Sequence, residues 1–152
     1  MNRVLKISTI LLLIITLLPF NIIAVADFDE SISTYYFDDG SYMTVTVSQN
    51  MPRSTSVKGN KVFNFYGSDG VEQWRAELIG IFTYDGTTAT CTSCVCNVTI
   101  TDTDWSYTQK RCYVNGGSAL CDLTMVKKWL GITIRTEEMT LSLTCSPTGQ
   151  LT

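Results

Sequence analysis

The 152-residue sequence contains no histidine. That excludes Ser-His-Asp and Cys-His catalysis and every metal site that uses an imidazole. Charge is scarce as well: 16% of residues are charged, and the formal net charge is −3 with no basic run. A nucleic-acid partner, which calls for a basic stripe, is therefore excluded. The low charged fraction argues against intrinsic disorder too. Proline occurs three times, too rarely for a Pro-rich linker. The sequence holds no Gly-rich phosphate loop and no EF-hand loop. We expect no cofactor.

The apolar residues that are present are unevenly spread. Arg3 and Lys6 precede a nearly continuous Ile/Leu run over 7–20, broken by Pro19 and followed by Ala24-Val25-Ala26. This order of basic start, apolar stretch and small-residue site reads as a secretory signal over 1–26, cleaved between Ala26 and Asp27. The alternative is retention of the same run as a membrane anchor, since it is about long enough to span. Loss of Arg3 and Lys6 with the leader moves the net charge from −3 to −5. The expected location is secreted and extracellular, with membrane contact only through the leader before cleavage.

Behind the leader, residues 27–40 carry Asp27, Asp29, Glu30, Asp38 and Asp39 and no basic residue. They read as an acidic N-terminal arm, anchored by Tyr35-Tyr36-Phe37. From 41 to 152 the chain reads as one domain. Thr, Val, Ile, Tyr and Trp recur, which is strand chemistry. Turn signals punctuate them at Asp38-Asp39-Gly40, Gly67-Ser68-Asp69-Gly70, Asp85-Gly86, Asn115-Gly116-Gly117 and Gly131. Strands are expected near 41–48, 61–66, 71–84, 87–100, 105–114, 118–129 and 132–145. The fold class is all-β: an antiparallel, disulfide-stapled β-sandwich of about seven strands. Ser118 to Leu130 also fits a helix, capped by Ser118 and stopped by Gly131, but strand is the preferred reading.

Two hairpin registers follow from the turns. A two-residue Asp85-Gly86 turn would pair Tyr84 with Thr87, Phe82 with Ala89 and Gly80 with Cys91. A two-residue Gly116-Gly117 turn would pair Asn115 with Ser118 and Cys112 with Cys121, and would set Arg111 against Asp122.

Six cysteines in an exported chain read first as three disulfides. The second hairpin favours Cys112–Cys121, with Cα atoms about 4.5 Å apart at a non-hydrogen-bonded site. Leu141, Leu143 and Cys145 share a parity that faces the core, and Cys91 lies opposite Gly80, so Cys91–Cys145 is the second expected bridge. Cys94 and Cys96 remain as a third disulfide or free thiols. Alternatively they pair with Cys112 and Cys121. A thiolate metal cluster of Cys91, Cys94, Cys96 and a fourth ligand is a further, less favoured reading.

Catalytic candidates are thin. Asp102 and Asp104 flank a turn, and Glu137 and Glu138 point to opposite faces of a strand; neither pair suits glycosidic acid/base work. No catalytic residue is expected. Trp74 belongs to a core alternation with Ala76, Leu78, Gly80, Phe82 and Tyr84. Trp105, Tyr107 and Tyr113 share one parity and read as a second core face. Trp129, after Lys127-Lys128 at a strand end, and Trp105 are the residues that could stack on a ligand. Asn97-Val98-Thr99 fits a glycosylation acceptor.

The run Trp74 to Gly86 leading into Ala89-Thr90-Cys91-Thr92, together with Leu141-Ser142-Leu143-Thr144-Cys145-Ser146 before Gly149-Gln150-Leu151, resembles small secreted β-rich proteins of Gram-positive, clostridia-like bacteria that carry no assigned function. The resemblance implies an exported all-β domain and a Cys91–Cys145 pair, and it implies no catalytic residue. The expected function is a non-enzymatic extracellular binding or structural module with a protein or glycan partner. A carbohydrate or cell-wall binding module is the narrower alternative, and a small secreted hydrolase is disfavoured.

Overall fold

Alternating Thr/Val and aromatic positions bury one face of most strands, and in the computed structural model they do so in two layers. The structure describes residues 28–50 and 55–152. The leader and its cleavage site at Ala26 and Asp27 lie outside the described residues. Five strands form one antiparallel meander: β1 (Phe28–Tyr36), β2 (Tyr42–Asn50), β3 (Ser56–Tyr66), β4 (Glu72–Tyr84) and β5 (Ala89–Ile100). Three more form the second: β6 (Trp105–Asn115), β7 (Ser118–Trp129) and β8 (Ile132–Thr144). The fold is an all-β sandwich, as the turn spacing predicts, with eight strands rather than seven. No described helix is long and apolar enough to cross a membrane.

The added strand is β1, inside the segment expected to be a solvated arm. It pairs with β2 from Phe28↔Asn50 to Tyr36↔Tyr42, so backbone hydrogen bonding decides its state. Of the segment's described side chains, Ser31 to Tyr36 are exposed, and Phe37 alone of the aromatic trio packs against the core. Residues 118–129 are strand throughout, not helix.

The two hairpin registers came out differently. At Gly116-Gly117 the register is the expected one, with Asn115↔Ser118, Cys112↔Cys121 and Arg111↔Asp122. At Asp85 the strands close two residues later, with Tyr84↔Ala89 and Phe82↔Cys91. The Asp85 carboxylate accepts the Thr87 and Thr88 amides at 2.8 and 2.7 Å and the Thr87 hydroxyl at 2.7 Å. That cap holds a four-residue loop where the Asp-Gly pair alone suggests two. The later closure alone would set Gly80 against Ser93; an extra residue between Phe82↔Cys91 and Ile81↔Ser93 moves it one further, so Gly80 faces Cys94, not Cys91.

The core lies between the sheets. Trp74, Phe65, Phe82 and Leu78 come from the five-stranded sheet; Cys121, Leu123, Met125 and Leu143 come from the other. Phe65 stacks on Trp74 at 5.2 Å, and Trp105 meets both edge-on at 5.4 and 6.2 Å. Trp105 Nε1 donates to Gln73 Oε1 at 2.7 Å, giving the buried indole its partner. The Arg135 guanidinium closes this end, 4.9 Å from the Phe65 ring and ion-paired with Asp39 and Glu137. At the other end Leu151 folds back over Gly59, where a Cβ would sit 2.1 Å from the Leu151 Cδ1.

Candidate functional site

Chemistry-bearing side chains gather in one place, the seam between β5 and the second sheet. Cys91 and Cys94 are three apart, which on a regular strand puts them on opposite faces. A bulge reverses that. Phe82 pairs with Cys91 and Ile81 with Ser93, so Thr92 is the extra residue. Cys91, Cys94 and Cys96 consequently share the inward face. Across the gap stand Cys112 of β6 and Cys121 of β7, set side by side by the Gly-Gly hairpin, and Cys145 just past β8.

All six cysteines are thiols in this structure. The sulfurs of Cys96, Cys112 and Cys121 lie within 4.8 Å of one another. The Cys94 thiol partners that of Cys112 and also donates to the Leu120 carbonyl at 3.4 Å. Cys145 has Cys91 as its thiol neighbour. Burial raises the pKa of all six. Desolvation is the leading cause, and it pushes Cys94 and Cys121 up to about 12. The seam thus holds protonated, poorly nucleophilic sulfur, unlike a reactive cysteine in an electropositive cleft. Such an arrangement can bridge its sulfurs or bind a soft metal ion through Cys96, Cys112, Cys121 and the adjacent Cys94. The metal reading from the sequence centred on Cys91, Cys94 and Cys96; the grouped sulfurs are instead Cys96 with the two cysteines of the opposing sheet.

The second constellation is at the surface. The β7–β8 hairpin turns through Leu130 and Gly131, both left-handed at φ 49° and 80°. This is the two-residue turn with positive φ at both centres, where Asn-Gly is the low-strain choice. The chain carries Leu instead, the one described non-glycine residue with positive φ. Its side chain is 84% exposed, beside Trp129 (64%), Ile132 (69%) and Ile134 (57%). Ile134 is the extra residue of a bulge, since Lys127 pairs with Arg135 and Lys128 with Thr133. Behind the tip, Lys127 is held by Asp102 at 3.1 Å and by Gln73 at 3.0 Å.

The two tryptophans named from sequence separate here. Trp129 is exposed as expected, whereas Trp105 is buried at 3% and packs edge-on against core rings, so it cannot meet a ligand. Nor do Trp105, Tyr107 and Tyr113 form one stripe. A bulge at Thr108, between Tyr107↔Met125 and Gln109↔Thr124, puts Trp105 and Cys112 on the inner face and turns Tyr113 outward, where its hydroxyl donates to Asp122 at 3.3 Å. The carboxylate pairs are structural in placement: Asp102 accepts the Asp104 amide at 3.0 Å, and Glu137 accepts from Arg135 at 2.6 Å. Asn97 is exposed on β5.

Sequence reasoning missed the companions of Trp129. The signal was present, since Trp-Leu-Gly-Ile has no polar residue where a hairpin tip usually has several. It also missed a row of tyrosines on the outer face of the five-stranded sheet: Tyr42 stacks on Tyr66 at 4.8 Å and meets Tyr36 at 5.8 Å. Cross-strand neighbours of this kind are set by register and are not visible in spacing along the chain. Comparison of the chain with protein-family models, with curated proteins and with solved structures finds no match in any of the three.

Proposed function

We propose that this protein is an exported, non-enzymatic binding module that docks an extracellular protein through the β7–β8 hairpin tip. The observation that carries the reading is the contiguous exposure of Trp129, Leu130, Ile132 and Ile134 on a turn that accepts backbone strain to display a leucine. Strain of this kind persists where something is gained from the side chain, and exposed apolar patches mark interaction surfaces. A sugar platform would surround the ring with polar donors and acceptors; here the neighbours are aliphatic, which suits an apolar groove on a protein. The net charge of −5 after loss of the leader argues against an anionic membrane surface.

Depressions on the described surface are shallow. Two of them, of about 300 and 230 Å³, are lined by Gln109, Asp122 and Glu138, and by Asn60, Glu77 and Lys58. This supports a flat recognition surface over a substrate cleft. The Tyr36–Tyr42–Tyr66 row favours the second reading, a glycan or cell-wall ligand stacking on the outer sheet face.

Trp129 reports on the choice directly, because Trp74 and Trp105 are buried. Titration with the extracellular protein fraction of producing cells is expected to shift the exposed tryptophan emission to the blue and shield it from acrylamide. Peptidoglycan fragments and phosphatidylglycerol vesicles are expected to leave it unchanged. A shift with either of these and none with the protein fraction overturns the reading.

A further inference from the structure

We infer that β5 is bonded covalently to the opposite sheet through three disulfides, Cys91–Cys145, Cys94–Cys112 and Cys96–Cys121, and that the facing hairpin pair Cys112/Cys121 stays unbonded to itself. The inference rests on the exported reading above for its oxidising surroundings.

The argument is one of matching. Cys91 and Cys145 donate their amides to the adjacent carbonyls of Gly116 and Gly117 at 2.8 and 2.9 Å, which sets the two residues side by side, and Cys91 is the thiol that acts on Cys145; that commits the pair. Cys94 then has Cys112 as its bonding neighbour. Once Cys112 is committed to Cys94, Cys96 and Cys121 remain, and they lie within 4.8 Å of each other. The competing hairpin bridge Cys112–Cys121 satisfies the ladder locally but strands Cys94 and Cys96. Those two are next-but-one on a single strand, so their Cα atoms are about 6.7 Å apart, at the far limit of disulfide geometry. The hairpin bridge thus leaves one buried and one half-buried thiol without a bonding partner; the cross-sheet set leaves none.

The Thr92 bulge makes the cross-sheet set possible. Without that extra residue Cys91 points outward while Cys94 and Cys96 point in, and the three cannot serve one seam. Gly80, directly opposite Cys94, leaves no side chain in the seam: a Cβ there would lie 2.5 Å from the Phe82 ring and 3.3 Å from Ala119 Cβ. The Thr108 bulge does for β6 what Thr92 does for β5, turning Cys112 to the same side as Trp105.

Each bridge forms by thiol–disulfide exchange. One protein thiolate attacks an oxidised glutathione, breaking its S–S bond and releasing one glutathione thiol. The second protein thiol, losing its proton, displaces the other glutathione and forms the protein S–S bond. Three oxidised glutathiones become six glutathione thiols, and six protein thiols become three bridges.

The test refolds the full chain from denaturant in a glutathione redox buffer, with and without one equivalent of zinc, then alkylates and digests it with trypsin without reduction. This reads the pairing whether or not cells export the chain, so failure of the export reading is seen separately, by fractionation. No Lys or Arg lies within 76–109, 112–126 or 136–152, so the cysteines fall on three peptides: 76–110 with Cys91, Cys94 and Cys96; 112–127 with Cys112 and Cys121; 136–152 with Cys145. The expected result is one covalent species holding all three peptides, six hydrogens lighter than its parts. Fragmentation of that species is expected to join Cys94 to Cys112. Cys94→Ser is expected to leave Cys112 open to alkylation, and Cys96→Ser to leave Cys121 open. Release of 112–127 alone, two hydrogens light, overturns the inference in favour of the hairpin bridge. So do six alkylated thiols, thiols protected by bound zinc, or fragmentation that joins Cys94 to Cys121.

Discussion

β7 runs from a dry interior to open solvent within one strand. At its start Ala119, Cys121, Leu123 and Met125 are wholly enclosed and face β5 thiols and core rings; at its end Trp129 leads into a turn with four exposed apolar side chains. Both ends are built from the same residue classes, and both use a glycine hairpin. The difference lies in what covers them. The five-stranded sheet lies over the first end, and among the described residues nothing lies over the second. Apolar side chains under a sheet stabilise the fold; the same side chains beyond its rim are available to a partner.

The largest test of that contrast sets a truncation in the core between the sheets against one at the tip. Trp74→Ala removes a buried ring stacked on Phe65 at 5.2 Å and is expected to cost about 3–5 kcal/mol in urea denaturation. Trp129→Ala is expected to stay within about 0.5 kcal/mol of the parent. Equal losses would mean that the tip is covered after all.

A smaller effect belongs to the seam. Gly80→Ala gains backbone rigidity but drives a Cβ to within 2.5 Å of the Phe82 ring. The net expectation is destabilisation of about 1–3 kcal/mol, with the same urea midpoints as readout. A neutral result would show that Phe82 has room to move, and that the seam is looser than its burial implies.

The tip should behave in the opposite sense. Leu130→Asn relieves a left-handed leucine and is expected to raise stability by about 1 kcal/mol. The same change is expected to weaken docking of the extracellular protein fraction, read from Trp129 emission. A variant that gains stability and loses binding separates a functional residue from a structural one. A variant that loses both would place Leu130 with the core.

The smallest expected effect is at the Asp85 loop, which joins β4 to β5 and so sets the height of Cys94. The Thr87 hydroxyl and the Thr87 and Thr88 amides hold the Asp85 carboxyl below the usual carboxylate range. A depressed folded pKa gives stability that is complete above the unfolded carboxylate pKa of about 3.9 and is lost as pH falls towards the folded value. Asp85→Ala is expected to flatten the stability profile below about pH 4 and leave it unchanged at neutral pH apart from a constant offset. An unaltered acid limb would place the titrating group elsewhere.

How much was legible in advance varied with the range of the interaction. The Gly116-Gly117 turn is local, and its register, including Cys112↔Cys121, followed from two adjacent residues. The Asp85 register did not, because a side-chain cap three residues long outweighed the Asp-Gly dipeptide. Trp129 was legible as exposed because it ends a strand after two lysines, and Trp105 as part of a core face, while Tyr113 was misplaced by a bulge that leaves no mark in residue type. β1 was read as an arm because its carboxylates are soluble, but strand pairing is a property of the backbone and is indifferent to them.

Residue types and turn signals were enough to determine an all-β chain, one hairpin register and the lack of any histidine-based chemistry. They could not decide which sulfur meets which. That depends on two one-residue bulges and on how one sheet lies over the other, and a single extra residue reverses the face of every side chain beyond it. Only the stacked sheets bring Cys94 to Cys112 and Cys96 to Cys121, and only they leave the Trp129–Ile134 tip uncovered.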